Sequence, residues 1–218
     1  VILSRYFAAA QDYVSAVKFM NEAWDENKTF RQKSFLAMVY PNDFLAAVTE
    51  FGALKKIDAD LVLSLIRQES AFARTAVSRS GALGLMQLKP PTAEEVAKDL
   101  GFQSLSVPDE VFHPKINIQM GTHYLAKMLK KYQGHVPLAL ASYNAGPTRL
   151  DRWLNAKGVA KKIREKTDFD PLDDIWFDEL PWSETSVYVK SILRNLVIYR
   201  SLKATEPFVL KKPVWKQD

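Results

Sequence analysis

Apolar residues return at helical spacing over most of the chain. Between residues 3 and 24, Phe7, Ala10, Tyr13, Val14, Val17 and Met20 recur in the register of one amphipathic helix. The polar break DENKTFRQ, 25 to 32, follows, and a short helix fits 33 to 39. YPND, 40 to 43, reads as a turn in which Asn42 or Asp43 caps a helix running to about Lys55. Asp58 is the expected N-cap of a helix from Ala59 to Ser70. In KPPTAEEVAKDLG, 89 to 101, Thr92 and Glu95 have the spacing of a capping box, and Gly101 is the expected stop. Further helices are expected over 114–133, 136–145, 148–156 and 185–203, the last carrying Val187, Val189, Ile192, Leu196 and Tyr199 on its apolar positions. Residues 157 to 182 are charged, contain proline and read as irregular, and the tail EPFVLKKPVWKQD reads as extended.

This periodicity, with only 8 glycines in 218 residues, predicts an all-α fold. The break near 25–41 is the single candidate boundary, dividing an N-terminal helical segment, 1–40, from the remainder, 41–218. The chain begins at Val1 and reads as a fragment or a processed form. It shows no signal peptide and no apolar run of the roughly 18 residues a spanning helix needs, so no transmembrane segment is expected.

Composition adds mainly exclusions. Hydrophobic content of 47% and charged content of 25% suit a packed globular core. The net charge of +5 permits an anionic partner. No basic helix or recognisable motif points to nucleic acid, so none is expected. The absence of cysteine excludes a disulfide, a thiolate metal site and a cysteine nucleophile. His113, His123 and His135 are dispersed and expected to pack or face water, so neither a metal nor a cofactor is expected.

The chemistry begins at RQESAFARTAVSRSGALGLMQ, 67 to 87. On the 59–70 helix, Glu69 follows Leu65 by four residues and Ile66 by three, so it shares their apolar face, with Arg67 and Gln68 off that stripe. Asp58 is taken up as a cap, and Asp60 falls on the opposite side. A carboxyl partly withdrawn from water has a raised pKa and can serve as a general acid. The plainer reading is a glutamate reaching to water at the helix end. Gly81 and Gly84 then allow close backbone approach, and Gln87 offers both donor and acceptor. ALASYNAGP, 139 to 147, ends a helix at Gly146-Pro147, which accounts for the glycine and proline but not for Tyr143-Asn144.

Glu69-Ser70, Gly84-Leu85-Met86-Gln87 and Ala141-Ser142-Tyr143-Asn144-Ala145-Gly146 together resemble the three successive signatures of the soluble lytic transglycosylases, bacterial cell-wall enzymes with a goose-type-lysozyme-like fold. NIQMGTHYL, 117 to 125, and ELPWSETSVYVKSIL, 179 to 193, are similar to two further segments of that family, and the resemblance covers roughly 41 to 203. It implies a lysozyme-like catalytic domain preceded by the last helices of a superhelical region. It assigns Glu69 as the single acid/base, Ser78 and Gln87 to the groove, Tyr143 and Asn144 beside the scissile sugar, and Glu179 to a sugar or stem-peptide group. Met86 and Met120 are expected in the core. The chain departs from the family at Lys89, where methionine is common, at Trp182 for phenylalanine, and at Ser186 for arginine.

The implied reaction cleaves the N-acetylmuramic acid to N-acetylglucosamine bond of peptidoglycan glycan strands without water, leaving a 1,6-anhydro sugar. Most glycosidases use two carboxyls, whereas one suffices when the substrate supplies the nucleophile. A hydrolytic muramidase of the same fold would need a second carboxyl, for which Glu179 and Glu184 are the candidates. A noncatalytic glycan-binding module would have no use for Glu69 at that place. Trp153, Trp176 and Trp182 suit either sugar stacking or the core. The substrate implies a periplasmic or cell-envelope location, and a monomer is expected.

Overall fold

The structure, a computed structural model, describes residues 1–30, 32–157 and 179–205. The expected tail and Trp176 lie outside the described residues, as does most of the charged stretch between 157 and 182. The described helices are α1 (Ile2–Ala9), α2 (Tyr13–Glu26), α3 (Lys33–Val39), α4 (Leu45–Lys55), α5 (Ala59–Ser70), α6 (Pro90–Asp99), α7 (Pro114–Lys131), α8 (Val136–Ala145), α9 (Pro147–Ala156) and α10 (Ser183–Lys203). Among the described residues there is no strand, only isolated bridges from Leu83 to Val77 and Leu88, and the fold is all-α as expected. No described helix is long and apolar enough to cross a membrane.

The helix α5 is the hub. Leu61 to Ile66 are buried without interruption, because α4 and α10 pack against it from different sides. A helix covered all round has no solvent face, which the one-sided stripe expected from sequence did not anticipate. Arg67 is accordingly held inside, its Nε donating to the Val39 carbonyl at 2.8 Å and its guanidinium lying 3.9 Å from the Tyr40 ring centre. Asn195 on α10 accepts from Tyr40 Oη at 3.1 Å and from Arg67 at 3.3 Å. Asp60 is also buried rather than spare, and takes Lys203 from α10.

A second, smaller core lies under α6, where Leu83, Leu88, Ala93, Val96, Val111 and Met120 meet. Lys127 ties α6 to α7 by reaching Glu95 at 2.7 Å and Asp99 at 2.6 Å. These exposed pairs contribute little energy singly, on the order of 1 kcal/mol or less. Apolar burial does most of the work here.

Three sequence expectations are corrected. The 3–24 helix is broken, because Gln11 takes a left-handed conformation (φ 59°) and Asp12 caps α2 by accepting from the Ser15 amide at 3.1 Å. Asp43 does not cap α4; its carboxylate is occupied by Gln11 Nε2 at 2.7 Å and Tyr13 Oη at 2.6 Å. Thr92 is inside α6 rather than at its cap, since Pro90 and Pro91 already start the helix and Lys89 takes the cap position. Asp58 does cap α5, accepting from the Asp60 amide at 2.9 Å. Met86 and Met120 are fully buried, as expected.

Gly121 on α7 faces Met86 so closely that an added Cβ would meet its sulfur and Cβ. Alanine favours a helix by about 1 kcal/mol over glycine. Overpacking here outweighs that gain, and Gly121→Ala should destabilise the protein by about 1–2 kcal/mol in urea unfolding.

Candidate active site

Glu69 occupies the last turn of α5, and the chain leaves that helix abruptly. Ala71 and Phe72 both have positive φ, 46° and 65°, a conformation disfavoured for side chains of this kind. Phe72 is buried against the Tyr13 ring, 5.8 Å between centres, so packing holds the turn in place. The strain sits directly beside the candidate acid, where the helix must end for the carboxyl to project into open space.

The loop that follows is fixed by side chains from three helices. Ser70 Oγ on α5 donates to the Leu85 carbonyl at 2.9 Å. Tyr143 Oη on α8 donates to the Met86 carbonyl at 2.8 Å. Asn117 on α7 is fully buried; its Oδ1 accepts from the Met86 amide at 2.7 Å, and its Nδ2 donates to the Leu83 and Val111 carbonyls at 3.1 and 2.9 Å. Gly84 (φ 75°) is required here, because any Cβ would collide with that Asn117 amide.

These elements enclose a cavity of about 450 Å³ with Glu69 in its lining. The loop and the start of α6 contribute Ser78, Ser80, Gln87, Lys89 and Thr92. The ends of α8 and α10 contribute Tyr143, Asn144 and Glu184, and α7 contributes Tyr124. The structure therefore brings together five of the six residues singled out in the sequence: Glu69, Ser78, Gln87, Tyr143 and Asn144. Glu179 is not in the lining; it is exposed and paired with Lys157 at 3.1 Å. Trp153 and Trp182 pack on each other and on the main core, 6.4 Å between centres, outside the cavity lining.

Most of the polar lining is already oriented. Ser78 Oγ accepts from the Ala82 amide at 3.0 Å. Gln87 Nε2 donates to the Ala76 and Gly84 carbonyls at 3.1 and 2.8 Å, which turns its Oε1 outward as an acceptor. Asn144 Oδ1 accepts from Thr185 Oγ1 at 2.7 Å, leaving its amide hydrogens as donors. The histidines are dispersed, His135 capping α8 by accepting from the Leu138 amide at 3.3 Å, and the described residues contain no cluster of three or more metal-ligating acids and histidines.

Tyr188 was missed in the sequence. Its hydroxyl donates to Glu69 Oε1 at 2.5 Å. The signal was available: Tyr188 is three residues past Thr185, so the two share one face of α10 and reach Asn144 and Glu69 respectively. Burial pushes the Glu69 carboxyl up to about 7, against the lowering effect of the Tyr188 hydrogen bond. Burial and the neighbouring Glu69 charge push the Tyr188 hydroxyl well above its ordinary value, so it remains a donor.

A carboxyl whose pKa is raised by folding binds more protons when folded, so the stability linked to it is full below its ordinary value and is lost as pH rises through about 7. Glu69→Gln should therefore be more stable than the unaltered chain at pH ~8, by up to about 3 kcal/mol, and equal to it near pH ~4 in urea unfolding. Tyr188→Phe should move the Glu69 pKa further up, read directly by carboxyl NMR titration; a downward move would contradict the assigned hydrogen bond.

The family model described as Transglycosylase SLT domain matches residues 47–166. The soluble lytic murein transglycosylase of Escherichia coli K12 is 32% identical over 210 residues, which cover 94% of this chain and 31% of that protein. Membrane-bound lytic murein transglycosylase C of Edwardsiella ictaluri is 27% identical over 201 residues, 82% of this chain and 56% of that one. Among solved structures, the 70 kDa soluble lytic transglycosylase of Escherichia coli matches with a TM-score of 0.77 at 27% identity, over 99% of this chain and 31% of its own. An inactive glutamate-to-glutamine mutant of the lytic transglycosylase Slt from Pseudomonas aeruginosa matches with a TM-score of 0.76 at 29% identity, over 97% of this chain and 31% of its own. The chain thus spans about a third of the length of the soluble relatives it matches. With its ordered motifs gathered round one groove and the family match covering more than half its length, this chain belongs to the SLT transglycosylase domain family.

Proposed function

We propose that the chain is the catalytic region of a peptidoglycan lytic transglycosylase, with Glu69 as its acid and base. One observation carries the reading: a carboxyl raised to about 7 lines a groove large enough for sugar rings. Near neutral pH such a group is populated in both forms, so it can give a proton in one half-reaction and take one in the next. Protonated Glu69 delivers its proton to the oxygen linking N-acetylmuramic acid to N-acetylglucosamine, and that bond breaks. The muramic C6 hydroxyl then bonds to C1 while Glu69 recovers a proton from it. The product is a 1,6-anhydro sugar, no water is consumed, and the acid is regenerated.

The neighbours have roles consistent with this cycle. Tyr188 positions the Glu69 carboxyl. The outward amide hydrogens of Asn144 suit the N-acetyl carbonyl that assists at C1, stabilising charge as it develops. Tyr143 supplies a ring face beside it, and Ser78 and Gln87 hydrogen-bond the strand. Glu179 lies outside the groove lining and suits only a part of the substrate that extends beyond it, such as a stem peptide. The partner is then the peptidoglycan glycan strand, the location the cell envelope, and the acting unit a monomer. Residues 1–40 read as a helical segment preceding 41–218; its first helix exposes Ile2, Leu3 and Tyr6, whereas α2 joins the main core through Tyr13, Ala16 and Met20 and so supports the catalytic region directly.

A hydrolytic muramidase has one observation in its favour, since Glu184 provides a second carboxyl in the groove lining. Mass spectrometry of products from purified peptidoglycan separates the two readings. Muropeptides one water lighter than hydrolytic products are expected with the unaltered chain and absent with Glu69→Gln. Reducing ends would establish the muramidase, and binding without cleavage would leave a glycan-binding module.

A further inference from the structure

The groove lining carries two carboxyls and one cation. The carboxyls are Glu69, from α5, and Glu184, from α10. The loop and the start of α6 add the hydroxyls of Ser78, Ser80 and Thr92 and one cation, Lys89. Several lysines elsewhere on the described surface are paired, Lys115 with Glu50, Lys127 with Glu95 and Asp99, Lys131 with Asp151, and Lys203 with Asp60, and what distinguishes Lys89 is its place in the groove lining. Among the described residues, the Lys89 ammonium has no such carboxylate partner and no side-chain hydrogen bond.

The starting point of this side chain is fixed. Lys89 has extended backbone angles, φ −70° and ψ 143°, which the following Pro90 enforces. Leu88 beside it is buried in the smaller core, pinned to Leu83 by paired backbone hydrogen bonds of 2.9 and 3.0 Å. The lysine stem therefore leaves a rigid point on the groove wall, with only its own rotamers to adjust.

Neutral sugar hydroxyls do not call for an unpaired ammonium, whereas a carboxylate does. We propose that Lys89 is a specificity-determining residue that pairs with a carboxylate carried by the glycan strand. This inference rests on the function proposed above. The carboxylate belongs either to the lactyl group of N-acetylmuramic acid or to an acidic residue of a peptide linked through it. Either source also orients the strand, because the anionic group is drawn to Lys89 and repelled from Glu184.

Binding separates this inference from the reading beneath it, because no turnover is needed. Calorimetry on the Glu69→Gln chain, with and without Lys89→Gln, would use three ligands. These are chitotetraose, which is neutral, a peptide-free tetrasaccharide of alternating N-acetylglucosamine and N-acetylmuramic acid, and the same tetrasaccharide bearing peptides. Lys89→Gln should weaken one or both acidic ligands by about 5-fold, more at low salt, and leave chitotetraose unchanged. Lys89→Arg should restore the loss. An effect on the peptide-free ligand identifies the lactyl carboxylate, and an effect confined to the peptide-bearing ligand identifies the peptide. Equal losses for all three ligands, or no loss for any, overturn the role of Lys89 alone. A parent chain that binds none of them overturns the proposed function as well.

Discussion

The groove depends on one buried amide. Asn117 holds the backbone of Leu83 to Met86 through both ends of its side chain, and it does so from a helix, α7, that contributes only Tyr124 to the cavity lining. A loop has no ladder of its own to satisfy its backbone groups, so a buried loop needs such partners. Ser70 and Tyr143 complete the support at Leu85 and Met86. The loop is thereby locked to α5, α7 and α8 together. Gly84 and Gly121 follow from the same arrangement, one because Asn117 presses on it and the other because Met86 does.

Several motif residues consequently serve support as much as chemistry. Ser70, next to Glu69, points at a loop carbonyl. The Tyr143 hydroxyl is occupied in the same way, which leaves its ring as the surface facing the groove. Glu69 itself is reached by a different route, from Tyr188 on α10, and α10 is in turn the main partner of α5 along its length. Acid and positioning hydroxyl thus ride on two helices that share one core, so their separation is set by packing rather than by a loop.

Most of the helical register and the single apolar-face glutamate were legible in the sequence because periodicity is a local signal, whereas the three groove signatures were legible only through the family resemblance. What escaped were pairings over long sequence distances. Tyr188 and Glu69 are 119 residues apart, and only the packing of α10 on α5 makes them neighbours. Arg67 looked like a solvent-facing charge because periodicity counts one apolar stripe, while α5 is enclosed on several sides. The capping errors have the same origin. Asp43 had the right position for a cap, but Gln11 from the turn between α1 and α2 and Tyr13 from the start of α2 occupy it. At α6 two prolines fixed the start, so Thr92 had no cap to make.

The strained turn after Glu69 reaches further than the groove. Ala71 and Phe72 keep their unfavourable backbone with Phe72 packed in the core against Tyr13, and Tyr13 is itself tethered to Asp43. The family match begins at residue 47, well past that aromatic lid. A minimal unit cut to the match would remove that contact and let the end of α5 relax, carrying the acid with it. The smallest piece that preserves the geometry of Glu69 must therefore include α2.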